Sequence, residues 1–316
     1  MTNGNQNKSG RWFWGIAIGI LVFAMLFVGF SIIMFATAIV KSGDNGFDYN
    51  EVRSGKGKIA IVELDFTIID SKPIVRQFKK YREDKSIKAI VLHVNSPGGG
   101  VAASQEMYEE VKKTRDSGKP VIVSFGSIAA SGGYYVACGG SLIVSNPGTL
   151  TGSIGVIISL MNFKELTDKL GIKDLTIKSG ELKDAGNPMR EATEKDKAYF
   201  QEIVDDSYDQ FLDVVSKERK IDKEELRKIA NGRVYTGRQA KDIKLVDSIG
   251  TLEDAIRIAG EMAKIEGEPA IIREKGRKNI FDYFIDNMSS NQFTLLKEEI
   301  YNEFLNKPVL QYKFER

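Results

Sequence analysis

One cysteine, Cys138, and one histidine, His93, are all that the 316 residues hold of the two side chains most used for metal ligation. A lone cysteine leaves no internal disulfide, and the pair forms no cluster of zinc-ligand spacing, so neither a structural metal nor a metal-dependent reaction is expected. No organic cofactor is implied. An excess of one charge is also missing: 45 Lys and Arg face 43 Asp and Glu for a net charge of +2, and the signs are interleaved along the chain. That distribution gives no basic stripe, and no nucleic-acid partner is expected. Internal repeats and low-complexity tracts are absent, which excludes a tandem duplication.

The first feature present is a long apolar run. Residues 12–40 hold no charged side chain, and the run exceeds the ~20 residues that cross a hydrocarbon core as a helix. An uncleaved membrane anchor is the expectation. Ala36-Thr37-Ala38 offers the alternative of a cleaved signal, against which stands an apolar region far longer than the ~7 to 15 residues of such signals. Lys8 and Arg11 precede the run, and Lys41, Asp44, Asp48 and Glu51 follow it. This bias favours a cytoplasmic N-terminus, hence a single-pass protein of the cell membrane with its folded domain on the extracytoplasmic side. The chain divides into a tail (1–11), an anchor (12–40), a polar, glycine-bearing tether (41–57), a folded domain (58–265) and a C-terminal extension (266–316).

Within the folded domain, the short β-rich runs Ile59–Leu64, Ala89–Val94, Pro120–Phe125 and Ser141–Val144 alternate with helical patterns. Such alternation predicts an α/β fold with parallel strands and crossover helices. Helices are expected over Val101–Ser117, Glu194–Arg219, Lys223–Ala230 and Leu252–Ile265. The stretch from Gly276 to Arg316 is aromatic and amphipathic, with no assignable element.

Two segments carry chemistry. Asn95-Ser96-Pro97-Gly98-Gly99-Gly100 lies between a predicted strand and a predicted helix, where glycines let backbone amides approach developing negative charge. It reads either as an oxyanion hole or as a tight strand-to-helix turn. Ala129-Ala130-Ser131-Gly132-Gly133 presents one hydroxyl among small neighbours at the start of a helix. Ser131 is therefore a nucleophile candidate with the Gly132 amide as an oxyanion donor, or else an N-capping serine. A nucleophilic serine needs a base. His93 sits inside Ile90–Val94 and is expected to be a buried, hydrogen-bonded strand residue, which leaves a lysine or a carboxylate. A lysine base must lie near the serine with no carboxylate holding it charged.

Asn95–Gly100, the AASGGYYVA segment at 129–137, Thr151–Val156 (TGSIGV) and Gly180–Asp184 (GELKD) occur in the order found in the signal peptide peptidase A family, which the chain resembles from Lys58 to about Ala263. The segment 231–250 resembles the end of that family's catalytic fold. The resemblance implies Ser131 as nucleophile, Lys183 as general base, Ser153 as the hydroxyl orienting the lysine, and Gly98, Gly99 and Gly132 as the oxyanion-hole region. It further implies a Clp/crotonase-like β-β-α spiral core behind one N-terminal transmembrane helix, a ring or dome of identical subunits, and peptide substrates such as remnant signal peptides. The chain resembles the short, single-domain form, whose site is built within one subunit or completed by a neighbour. The 52 positions from Ser131 to Lys183 match the arrangement in which both come from one chain.

Three other readings compete. A Clp-like Ser-His-Asp peptidase needs a histidine after the serine, and none follows His93. A crotonase-like acyl-CoA enzyme would use the glycine loops without a nucleophilic serine, and a catalytically silent membrane scaffold would lack the Ser131 and Lys183 pair. Cys138 is expected to be a packing residue; Tyr134, Tyr135 and Met161 are either groove or core.

Overall fold

The computed structural model describes residues 49–274 and 311–313; the predicted anchor at 12–40 lies outside them. No helix among the described residues is long and apolar enough to cross a membrane.

The strands run β1 (Tyr49–Arg53), β2 (Lys58–Leu64), β3 (Ile87–Ser96), β4 (Gly98–Gly100), β5 (Val121–Ala130), β6 (Leu142–Ser145), β7 (Leu150–Gly152), β8 (Val234–Thr236), β9 (Ser248–Ile249), β10 (Ala270–Glu274) and β11 (Gln311–Lys313). Their main sheet has the order β1-β10-β2-β3-β5-β6-β9. It is parallel from β10 to β9, and β1 closes the edge antiparallel to β10. This is a mixed α/β fold with a parallel-rich sheet. The sheet reaches beyond the expected domain limits of 58 and 265: β1 comes from the polar tether and β10 from the extension.

Strands in such a sheet are covered on both faces, which is why β2, β3 and β5 read as nearly continuous apolar runs. Alternate residues serve two cores. Ile59, Ile61, Ala89, Val91, Ile122 and Val144 face one helix, Leu252–Met262, through Ala255, Ile256 and Ala259. Val62, Leu64, Ile90, Leu92, Val94, Val123 and Phe125 face the other way, onto Ile74, Phe78 and Tyr81 of helix Lys72–Glu83 and Met107 and Val111 of helix Val101–Asp116. Phe78 is fully buried, and its truncation to alanine would cost about 3–5 kcal/mol.

The long helix Glu194–Arg219 begins at a capping box in which Thr193 accepts from the Asp196 amide while the Asp196 carboxylate accepts from the Thr193 amide. The helix expected to end at Ile265 stops at Met262, because Lys264 turns left-handed at φ 55°.

Two features of the topology bring the site together. First, β5 is long enough to serve two partners on one side: Ile122–Phe125 pairs with β6, and Ile128–Ala130 pairs with β7, which in turn pairs with β8. Second, β4, the glycine run read from sequence either as an oxyanion hole or as a tight turn, is extended and pairs antiparallel with β11, Tyr312 opposite Gly99.

Candidate active site

Ser131 stands at the junction of β5 and helix Gly132–Ala137, with φ 52° and ψ −117°. For a residue with a side chain this backbone costs on the order of 1–3 kcal/mol and persists only where the surroundings enforce it. The enforcement is visible: the Ser131 amide donates to Gly152 O at 2.8 Å, and the Tyr135 amide donates to Ser131 O at 2.8 Å. The side chain is 1% exposed, and its Oγ has no hydrogen-bond partner. An N-capping serine bonds an amide in the first turn, whereas Ser131 makes no such bond. A buried hydroxyl left unpaired on strained backbone is costly for stability, and a reacting role accounts for it.

The glycine run lies beside it, with β4 packed against helix Gly132–Ala137. Gly99 admits no side chain, since a Cβ there would sit 2.0 Å from Ile68 O. Gly133 is held to the end of β3 in the same way, a Cβ falling 2.9 Å from Ser96 O. Ser96 Oγ donates to Phe66 O at 2.6 Å and accepts the Gly98 amide at 3.2 Å. The Gly98 amide is therefore engaged, and Gly99 stands opposite Tyr312 in the β4–β11 ladder. Asn95 Oδ1 accepts the amides of Ser127 and Ile128 at 3.1 and 3.3 Å. The Thr151 hydroxyl donates to Ala129 O at 2.6 Å. Both brace the bend of β5 just ahead of Ser131. Nothing in the sequence pattern singled out Asn95, Ser96 or Thr151 as braces.

Ser153 follows β7, buried, at φ 50°, with its amide on Arg233 O at 2.8 Å. Ser131, Ser153 and the glycines thus converge on the ends of β5, β4 and β7. Lys183 does not join them. It lies in a 3-10 turn, Glu181–Asp184, with its side chain exposed, and because Ser131 Oγ has no partner, Lys183 is not hydrogen-bonded to it.

His93 is the strand residue expected, though half-buried rather than buried: it lies on β3 opposite Glu63 and Ser124 in register and bonds to the Ser124 backbone, while its Nδ1 has no hydrogen-bond partner. Burial lowers its pKa below the usual 6.5. It makes no bond to Ser131 Oγ, so a Ser-His pair is not formed. Cys138 is buried and its thiol is pushed up to about 12 by that burial, which removes it as a nucleophile. Tyr134 and Tyr135 are core residues, Tyr135 stacking edge-on against Tyr108 and Phe211. Met161 is exposed. Among the described residues no group of His, Cys, Asp and Glu could hold a metal ion.

A family model described as peptidase family S49 matches residues 113–266, and one described as Clp protease matches residues 60–144. The chain is 39% identical over 214 residues to a protein of Synechocystis sp. provisionally named a protease, covering 67% of this chain and 77% of that one. The chain belongs to peptidase family S49. It is also 45% identical over 180 residues to a protein of Enterococcus faecium provisionally named signal peptide peptidase SppA, covering 57% of this chain and 52% of that one. With an Arabidopsis thaliana protein named serine protease SPPA, chloroplastic, it shares 34% identity over 198 residues, 62% of this chain and 29% of that one. The chain spans about half the length of the Enterococcus relative and less than a third of the Arabidopsis one, the relative whose name says serine protease.

Proposed function

We propose that this chain is a membrane-anchored serine endopeptidase in which Ser131 is the nucleophile and Lys183 the general base. The observation that carries the reading is the Ser131 hydroxyl: buried, unpartnered, and held on enforced left-handed backbone beside a glycine edge. In the reaction, neutral Lys183 takes the proton of Ser131 Oγ as Oγ bonds to the scissile carbonyl carbon. Amides of Gly99 and Gly132 receive the oxyanion, and Ser153 orients the lysine. Collapse breaks the C–N bond as Lys183 returns the proton to the leaving amine. Water, giving a proton to Lys183 in turn, then attacks the acyl carbon and releases the acid while that proton goes back to Ser131 Oγ. The extended substrate pairs with β4, whose edge takes an antiparallel strand in the form of β11. No cofactor is required.

The dyad is assembled in a homo-oligomer, a ring or dome, around the Clp/crotonase-like spiral core. What supports this is the segment from Ile157 to Leu182. It exposes Met161, Phe163, Leu166, Leu170 and Ile172, with Leu175 at 87% and Ile177 at 92%, more bare apolar surface than one element of a soluble monomer ordinarily shows. Lys183 directly follows it, so covering this surface with another subunit fixes the lysine as well. Residues 12–40 place the enzyme in the cell membrane as a single-pass protein with its catalytic domain outside the cytoplasm, where remnant signal peptides are natural substrates. The purified full chain in detergent should cleave an apolar peptide library, and Ser131→Ala should abolish cleavage while the melting temperature is kept or raised. Undiminished cleavage by Ser131→Ala would overturn the reading.

A further inference from the structure

A lysine that acts as a base has to escape the carboxylates around it, and Lys183 is followed immediately by one, Asp184. The structure shows where that carboxylate is spent. Arg190 Nε donates to Asp184 Oδ2 at 3.0 Å, and Arg190 Nη2 donates to Asp184 Oδ1 at 3.0 Å and to Asp184 O at 3.1 Å. Lys178 Nζ adds a bond to Asp184 Oδ1 at 2.6 Å and another to Glu181 O at 2.9 Å. The same guanidinium reaches Asp196 through Nη1 at 2.5 Å and Nη2 at 3.1 Å, and Glu191 O through Nη1 at 2.9 Å. Asp196 is the capping-box residue of helix Glu194–Arg219 and is 2% exposed. Arg190 therefore engages every nitrogen of its guanidinium, and fastens the Lys183 turn to the start of helix Glu194–Arg219.

The remaining charges around the turn are accounted for in the same way. Glu181 receives Lys195 Nζ at 2.8 and 3.0 Å. Asp174 accepts from the Thr176 hydroxyl at 2.7 Å and the Asn187 amide at 2.9 Å. Glu194 is paired with Lys197, and Glu191 accepts from the Asn162 amide. Among the described residues Lys183 makes no ion pair. Lys178, Arg190 and Lys195 are themselves each engaged by these carboxylates.

We propose that Arg190 is a positioning residue for the base: by occupying both oxygens of Asp184 together with Lys178, it keeps the neighbouring carboxylate off Lys183 and anchors the turn that carries it. This rests on the reading of Lys183 as the base. Consistent with the geometry, the Arg190 and Lys178 hydrogen bonds hold the Asp184 carboxyl down at about 2, and Arg190 chiefly holds Asp196 below the usual carboxylate range. A lysine in place of Arg190 would offer three donors from one nitrogen and could not fork across two carboxylates.

The test is the pH profile of kcat for the full chain. In Arg190→Gln, Asp184 is released toward Lys183, and a carboxylate brought within ~4–6 Å of a cation moves its titration by about one unit or more. The rising limb of kcat should therefore move to higher pH by about one unit, with kcat at pH 7 down roughly tenfold and KM little changed. Adding Asp184→Asn to Arg190→Gln should return the limb to within a few tenths of wild type, although the clamp remains broken. Arg190→Lys should fail to rescue. A uniform loss at all pH values with an unmoved limb, or a double variant that stays displaced, would overturn the proposal and leave Arg190 as a purely structural contact. Asp184→Asn alone, which removes the charge without removing the arginine, guards against misfolding of Arg190→Gln; displacement of its limb to higher pH would likewise sink the idea. Lys183→Ala separates the two levels: full activity in that variant removes the base and the clamp together, whereas loss of activity there with an unmoved Arg190→Gln limb removes the clamp alone.

Discussion

The two halves of the proposed dyad live in opposite physical settings. Ser131 is fixed by a parallel sheet: apolar faces of β3 and β5 buried on both sides, glycines that admit no side chain, and amide bonds on each side of a strained residue. Lys183 sits on a lobe, residues 157–192, that buries few of its apolar side chains and is held by ion pairs and side-chain hydrogen bonds. Packed sheets define geometry without help, because close-packed interiors have one arrangement. Exposed charge networks contribute little stability each and tolerate movement. Ser131 is therefore fixed within its own chain, whereas Lys183, proposed as its base, is not bonded to it, and the proposal requires a further contact to bring the two together.

The largest effect that would sharpen this comparison is chemical. Ser131→Ala and Lys183→Ala should each reduce kcat by at least about 10³-fold, since members of one nucleophile-base unit fail together. Lys183→Ala should keep its melting temperature and Ser131→Ala should keep or raise it, since it removes a buried, unpaired hydroxyl, measured by calorimetry beside a peptide-cleavage assay. A Lys183→Ala enzyme within tenfold of wild type would break the pairing of the two halves.

Next in size is the glycine edge. Gly99→Ala places a Cβ against Ile68 O, so it should lower stability on the order of 3 kcal/mol and activity with it. Denaturant unfolding gives the number, and a neutral result would mean the edge is looser than the sheet-held half requires.

Smaller effects on stability are expected in the lobe. Leu175→Asp with Ile177→Asp changes two almost fully exposed side chains, so the fold should change by no more than about 0.5 kcal/mol per site. Oligomer mass by light scattering should nevertheless fall, and cleavage with it. An intact oligomer at full activity would show that the lobe meets no second copy.

The smallest effect concerns His93. Its folded pKa is depressed by burial, so between that value and ~6.5 the unfolded chain binds a proton that the folded chain does not. The resulting penalty is complete below the folded pKa and vanishes as pH rises above ~6.5. His93→Gln should therefore keep near wild-type cleavage and gain stability relative to wild type on acidification from pH 7.5 to 5.5. Loss of cleavage in folded His93→Gln would reopen a histidine mechanism.

Legibility in the sequence followed the same division. The runs that became β2, β3, β5 and β6 were readable because both of their faces are buried, and helix Glu194–Arg219 has the bounds expected from its sequence, with a cap from Thr193 and Asp196 that the structure adds. Ser131 and the glycines drew attention because small residues in a row have few uses, and the structure gathers them at the ends of β5 and β4. The three-residue strands β4, β7 and β8 were not, being too short to show a period, and β1 was hidden by its polar composition at an edge. The Arg190 clamp left no pattern at all: with 45 cations and 43 anions, which pairs form is a property of the folded lobe and not of spacing. The buried braces Asn95, Ser96 and Thr151 were equally silent, since their partners are backbone groups brought near only by the bend in β5.

The most direct test of the account is covalent. The full chain should be treated with a fluorophosphonate serine probe, digested, and the labelled peptide mapped by mass spectrometry, with Lys183→Ala in parallel. The account predicts one modified residue, Ser131, at near-stoichiometric yield in the wild type and strongly slowed labelling in Lys183→Ala. Labelling at another serine, or none at Ser131 in enzyme that cleaves peptides, would contradict it.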